Sequence, residues 1–245
     1  YPWPSFEAYP VDVAITAGVE VAVPLVDHVA DLDAMAEAVT SRTKLVVLAN
    51  PNNPTGTAVH VDRIRTLVER VPDDVLVVVD EAYREFVTAE LGDPITDLVP
   101  DHPNVVVLRT FSKAYGLAAM RTGYGVADPS VAEQVDKVLI PFAVNHLAQV
   151  GSLAAIAACD EVQVIIDRLT AERDRVLVAL RDAGWEVPDA HANFVWLPLG
   201  GRTDEVFPEL ERQGVVVRPF PGVGIRVTIG TPAENDRFLI ALADL

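Results

Sequence analysis

Three runs of β-branched and aliphatic residues, KLVVLAN (44–50), DVLVVVDEAY (74–83) and NVVVLRTFSK (104–113), each pass without a break from apolar to polar side chains. A strand with one face in water alternates apolar and polar residues. Continuous runs of this kind fit strands buried on both faces, as in a parallel sheet covered by helices. Between the first two runs, VDRIRTLVERV (61–71) sets Val61, Ile64, Leu67, Val68 and Val71 at helical spacing. Strand, helix, strand in that order predicts an α/β large domain with a mainly parallel sheet and helices on both faces. Ligands of such sheets gather in the crevice beyond the carboxyl ends of the strands. The residues to read for chemistry are therefore those that close each run: Asn50 to Gly56, Asp80 to Tyr83, and Thr110 to Lys113.

A long helical region is expected from about Ser130 through Arg181, and the small-residue run GSLAAIAACD (151–160) leads toward a second domain. From Gly184 the chain reads WEV, NFVWLPL, a helix near Thr203 to Gln213, VVVRPF, IRVTIG, and a closing helix from Pro232. That order predicts a small C-terminal α/β domain with a mainly antiparallel sheet. The expected division is a large domain over 1–155 and a small one over 156–245.

A formal net charge of −17 repels phosphate backbones and anionic lipid, so neither nucleic acid nor a membrane surface is an expected partner. No window reaches the ~18 consecutive apolar residues of a membrane span, and YPWPSFEAYP lacks the features of a secretory signal. A cytoplasmic address is expected. Cys159 is the only cysteine, which rules out a disulfide within these residues and a cysteine zinc cluster. The five histidines show no metal-ligand spacing, and no metal is expected.

Each polar segment has a plain structural reading beside a chemical one. ANPNNPTGT (49–57) is a strand-to-helix turn, or a turn whose Asn52 and Asn53 amides also donate to an anionic oxygen. Asp80 ends a fully apolar strand, where an ionised carboxylate needs a cation or donors. It is either a helix cap or the counter-ion of a protonated ring nitrogen, with Tyr83 offering a phenol one turn on. Glu81 belongs to a structural network. TFSKAYGLAAMRTG (110–123) collects two hydroxyls, an amine and a guanidinium, and its Gly116, Ala118 and Ala119 admit close approach. The chain has only three lysines against sixteen arginines, so an amine at Lys113 calls for a reason beyond charge.

NPNNPTG (51–56 with its preceding asparagine), DEAY after a strand, SK with an arginine eight positions beyond the lysine, and GIRVTIG near the C-terminus stand in that order. Together they resemble the fold-type I pyridoxal-phosphate aminotransferases. SFEAYP (5–10) and HANFVWLP (191–198) resemble the histidinol-phosphate and aromatic amino-acid aminotransferase branch.

The resemblance implies pyridoxal 5′-phosphate as cofactor and an amino group moved between an amino acid and a 2-oxo acid such as 2-oxoglutarate. The amino acid is an aromatic one such as phenylalanine, or histidinol phosphate. Lys113 would attach to the cofactor aldehyde, which arginine cannot do, and then act as general base. Asp80 would pair with the ring nitrogen, while Asn53 and Tyr83 would hydrogen-bond the ring's phenolic oxygen. Thr110, Ser112 and Arg121 would hold the phosphate, and Phe6 would stack on the ring. Arg226 would bind the substrate's anionic group, and Arg218 would be a second anion contact or a plain surface charge. A homodimer is implied as well. Family members carry a substantial segment ahead of the SFEAYP position, so the resemblance also implies a fragment of a longer protein. Two alternatives share the cofactor: a decarboxylase or lyase on the same fold, and a non-catalytic sensory module.

Overall fold

The computed structural model describes residues 1–243 and 245. The chain opens with β1 (Pro2–Trp3), α1 (Ala8–Ile15), β2 (Val23–Pro24) and α2 (Leu32–Glu37), with β1 and β2 paired in parallel. Next come β3 (Leu45–Ala49), α3 (Val61–Arg70), β4 (Leu76–Asp80), the short helix α4 (Pro94–Asp97), β5 (Val105–Thr110) and β6 (Gly123–Ala127). These strands form a sheet in the order β3-β4-β5-β6. The first three run parallel and β6 is antiparallel to β5, so the sheet is mainly parallel, as expected.

The apolar runs form this sheet because both strand faces have apolar neighbours to meet. Val46 and Leu48, Val77 and Val79, and Val105 and Val107 point to one face and are buried against Ile64, Leu67 and Val68 of α3 and Leu32 and Met35 of α2. The opposite-facing positions are covered less completely: Val47, Val78 and Val106 are half-buried, and Leu45 and Leu108 are exposed. A continuous apolar run in the sequence thus becomes an alternation in burial. α3 starts at the His60 cap, whose Nδ1 accepts from the Asp62 backbone N–H at 3.1 Å.

The helical region consists of α5 (Pro129–Val138), α6 (His146–Ala157) and α7 (Cys159–Asp182). Beyond it lie β7 (Phe194–Leu197), α8 (Thr203–Arg212), β8 (Arg218–Phe220), β9 (Gly224–Thr228) and α9 (Pro232–Ala243). The second sheet is antiparallel in the order β7-β9-β8. It has a core of its own, in which Val195, Leu197, Ile225 and Val227 pack against Val176, Leu180, Leu210 and Phe238. No single helix among the described residues is long and apolar enough to cross a membrane.

Several contacts join the two sheets and the segments around them. Arg173 of α7 is buried and donates from Nη1 to the carbonyls of Phe86 and Ala192, at 3.2 and 3.3 Å. Gly56, at φ +75°, lies where a Cβ would sit 3.4 Å from both Ala190 and Phe194, and its carbonyl accepts from the His191 N–H at 2.7 Å. A side chain at 56 would be strained by that backbone and would press the asparagine loop off the second sheet.

Just beyond β4, Glu81 is buried and takes Arg109 of β5 at 2.7–2.8 Å, while Arg109 also holds Asp93 at 2.6 Å. Arg84 completes the cluster, 3.7 Å from each carboxylate. This is the structural network expected of Glu81. Removing one partner of a buried ion pair leaves the other uncompensated, so Glu81→Ala is expected to lower the unfolding free energy by about 3–5 kcal/mol. Asp33→Ala, which breaks exposed pairs with Arg63 and Arg70, should change it by less than about 1 kcal/mol. Urea unfolding of the two variants measures the difference.

Candidate active site

The parallel register sets Ala49 opposite Asp80 and Asp80 opposite Leu108, so three strands end level with one another. The segments that leave them form a cleft with the N-terminal stretch, lined by Phe6, Tyr9, Pro51, Asn53, Asp80 and Lys113, with Tyr83 beside them. A larger concavity of about 410 Å³ lies between α1, α2 and the edge of β3, lined by Val19, Val21, Met35 and Val39 among others. It holds none of the residues gathered at the strand ends, so chemistry rather than size picks the site.

Asp80 is the floor of the cleft. Its Oδ1 accepts from the Ala82 backbone N–H at 3.2 Å and its Oδ2 from the Tyr9 hydroxyl at 2.8 Å. Among the described residues no lysine or arginine forms a salt bridge with it. Burial raises its pKa, and the Tyr9 hydrogen bond, the Ala82 N–H and the Lys113 charge pull the other way. Tyr83 is buried and meets Phe194 edge-on at 5.0 Å between ring centroids. Burial raises its pKa as well, against the opposing charge of Arg226.

Lys113 follows β5 with its side chain partly open to solvent, yet its Nζ lies 5.2 Å above the centre of the Tyr83 ring. Burial of that end lowers the amine's pKa below the ordinary lysine value. Arg226 and Arg121 lower it further, and Asp80 opposes them. The amine is therefore uncharged at a lower pH than a free lysine would be.

Arg226 arrives from β9. Its Nη1 donates to Asn53 Oδ1 at 2.5 Å and its guanidinium stands 5.1 Å from the Phe194 ring centre, while its Nε is buried without a partner among the described residues. A buried donor without an acceptor is costly, and an anionic ligand would satisfy it. Thr110 and Ser112 hydrogen-bond each other at 2.9 Å beside Lys113. Arg121, at φ +56°, donates to its own turn's Ala118 carbonyl at 2.9 Å. None of these three lines the cleft. Phe6 does, with 43% of its surface exposed and its ring edge-on to Tyr9 at 5.6 Å. Arg218 sits at the surface, where Nη2 holds both carboxylate oxygens of Glu7 at 3.0 Å.

Tyr9 and Glu7 were not expected here. Both lie in SFEAYP, and Tyr9 follows Phe6 by three residues, one turn on, where its N–H bonds the Phe6 carbonyl at 3.1 Å. That spacing was the available signal. Ser5 was not expected here either: its hydroxyl donates to Asn52 Oδ1 at 2.7 Å in a buried contact that pins the N-terminal segment to the asparagine loop, so the Asn52 side chain has a structural role.

The sequence matches the family described as "Aminotransferase class I and II" over residues 1–242. The chain belongs to the class I and II aminotransferases. It is 51% identical over 237 residues to the aromatic amino acid aminotransferase of Mycobacteroides abscessus, covering 97% of this chain and 68% of that one. The enzyme of the same name from Thermobifida fusca is 49% identical over 239 residues, covering 98% and 67%. The crystal structure of histidinol-phosphate aminotransferase from Sinorhizobium meliloti, in complex with pyridoxal-5′-phosphate, superposes with a TM-score of 0.89 at 30% identity, over 98% of this chain and 67% of that one. This aminotransferase thus spans about two thirds of the length of the relatives it matches. Its chemistry is transamination and its cofactor is pyridoxal 5′-phosphate. The cleft suits that group: a half-buried carboxylate with no contacting cation among the described residues matches a protonated ring nitrogen, and the orphaned Arg226 Nε matches an anion.

Because the Arg226 charge helps depress the Lys113 amine, Arg226→Met is expected to raise the pH midpoint for acylation of Lys113. Peptide mapping of cofactor-free protein labelled with acetic anhydride across a pH series reads that midpoint.

Proposed function

We propose that this aminotransferase exchanges an amino group between an aromatic amino acid such as phenylalanine and a 2-oxo acid such as 2-oxoglutarate. The observation that carries the reading is the meeting of Lys113, Asp80 and Asn53 at level strand ends with Arg226 reaching in from the second sheet. The choice of an aromatic substrate over histidinol phosphate is supported by the roughly even split of identical and changed residues against the aromatic enzymes, 49–51% identical, compared with 30% for the histidinol-phosphate enzyme.

Bound pyridoxal phosphate supplies a carbonyl that takes up the amino group and a ring that accepts electron density from the substrate's α-carbon. The Lys113 amine, uncharged at a lower pH than a free lysine, holds the cofactor and moves the proton taken from that α-carbon. Asp80 provides the negative charge for the ring nitrogen. Asn53 and Tyr83 act as hydrogen-bonding groups for the ring's phenolic oxygen, and Thr110, Ser112 and Arg121 as the phosphate site. Phe6 stacks on the ring. Arg226 anchors the substrate carboxylate, which favours transamination over loss of that carboxylate. Arg218 is assigned as a second anion contact, released from Glu7 when a dicarboxylate binds. Such an exposed pair is worth about 1 kcal/mol or less and exchanges readily.

We assign residues 1–155 to the cofactor-binding part and 156–245 to the small domain, on the strength of their separate cores. A homodimer is proposed as well, supported by the exposed apolar residues Val138 at the end of α5, Ile140 and Phe142 in the segment that follows, and Leu147 and Leu153 on α6. A cytoplasmic site suits the single, exposed Cys159.

With 2-oxoglutarate as acceptor, full-length enzyme is expected to turn over phenylalanine with a kcat/KM at least tenfold above that for histidinol phosphate; the reverse ratio would overturn the substrate assignment. Lys113→Arg is expected to abolish turnover. Borohydride treatment of the wild type should fix the cofactor on the peptide holding Lys113, and label on Lys44 or Lys137 would reassign the attachment.

A further inference from the structure

We propose that Tyr9 is a positioning residue for the cofactor: its hydroxyl, donating to Asp80 Oδ2 at 2.8 Å, keeps that carboxylate in the ionised form that pairs with a protonated ring nitrogen. The inference rests on the reading of Asp80 as the ring nitrogen's counter-charge.

The geometry leaves Tyr9 the main polar contact of the carboxylate. The other donor is the Ala82 backbone N–H, longer at 3.2 Å and bound to the opposite oxygen. The charged and titratable groups facing this pair come from four places. Lys113 follows β5, Tyr83 follows β4, and Arg226 on β9 acts on both of them, while Asp12 on α1 lies near Tyr9. Burial, Asp80 and Asp12 all raise the pKa of the Tyr9 phenol, so it stays protonated and remains a donor throughout the working range. A phenol hydrogen-bonded to a carboxylate stabilises the charged form and lowers the pH at which the carboxylate takes up a proton.

Packing alone does not call for the hydroxyl. The Tyr9 ring is buried and meets Tyr1 and Phe6 at 5.9 and 5.6 Å between centroids, contacts that phenylalanine would keep. The oxygen is the only part of the side chain that touches the cleft's charge. It also makes the N-terminal segment part of the cofactor site, since Ser5, four residues earlier, fastens the same segment to Asn52.

The test uses full-length protein stripped of cofactor and titrated with pyridoxal phosphate across a pH series. Protein fluorescence gives the dissociation constant, and the absorbance of the bound cofactor is followed in parallel. In Tyr9→Phe the acid limb of cofactor binding should move up by about one pH unit, a tenfold weakening at a fixed pH on that limb. In an Asp80→Asn background, where no carboxylate remains to titrate, adding Tyr9→Phe should leave the profile unchanged. An unmoved acid limb in Tyr9→Phe, or a shift that persists with Asp80→Asn, would overturn the proposal while leaving the role of Asp80 intact. Asp80→Asn binding cofactor with the wild-type pH profile would overturn the reading of Asp80, and the proposal with it. Thermal melting of the cofactor-free variants separates these outcomes from loss of fold.

Discussion

Asp80 ends an apolar strand with Ala49 level on one side and Leu108 on the other, and the backbone ladder continues past it through Asn50 N–H to the Asp80 carbonyl and Glu81 N–H to the Leu108 carbonyl. This in-register parallel pairing is the constraint on which the site depends. It brings three chain segments to one line and lets each release its polar residues at the same height above a wholly apolar layer. A one-residue slip would exchange the two faces of a strand and turn Asp80 toward α3.

The two adjacent acids at that point meet opposite environments. Glu81 is enclosed with Arg109, Arg84 and Asp93, each charge matched within the protein. Among the described residues Asp80 is matched only by a phenol and one amide. The compensated neighbour holds the ends of β4 and β5 together, and the under-compensated one is thereby left in a fixed place with capacity for a cation. Arg226 is the mirror case on the second sheet: one nitrogen is spent on Asn53, and Nε is left for an anion.

Much of this was legible in the residues themselves. Continuous apolar runs revealed the parallel strands, and the change from apolar to polar at Asn50, Asp80 and Thr110 marked the strand ends where the cleft lies. Of Tyr9 only its place one turn beyond Phe6 was legible; its role depends on a contact across 71 positions, and an isolated tyrosine in an apolar helix reads as packing. Glu7 was hidden for the same reason, since its partner lies 211 positions away. The half-open face of the sheet was also invisible in runs that look equally apolar on both sides. Periodicity reports what a segment is able to bury and not what arrives to cover it.

Arg218 and Arg226 are direct cross-strand partners on β8 and β9. Like charges so placed repel, and each is attended by a group from the first quarter of the chain, Glu7 for one and Asn53 for the other. The second sheet therefore carries an electrostatic debt that its own residues do not settle. Its central strand β9 and edge strand β8 close most favourably once the N-terminal segment and the asparagine loop have docked, which makes the first and last parts of these residues interdependent in assembly. Such contacts are long-range and slow to form. A second sheet separated from the N-terminal segment and the asparagine loop would keep its apolar core and lose the carboxylate and the amide oxygen that let these two strands lie side by side.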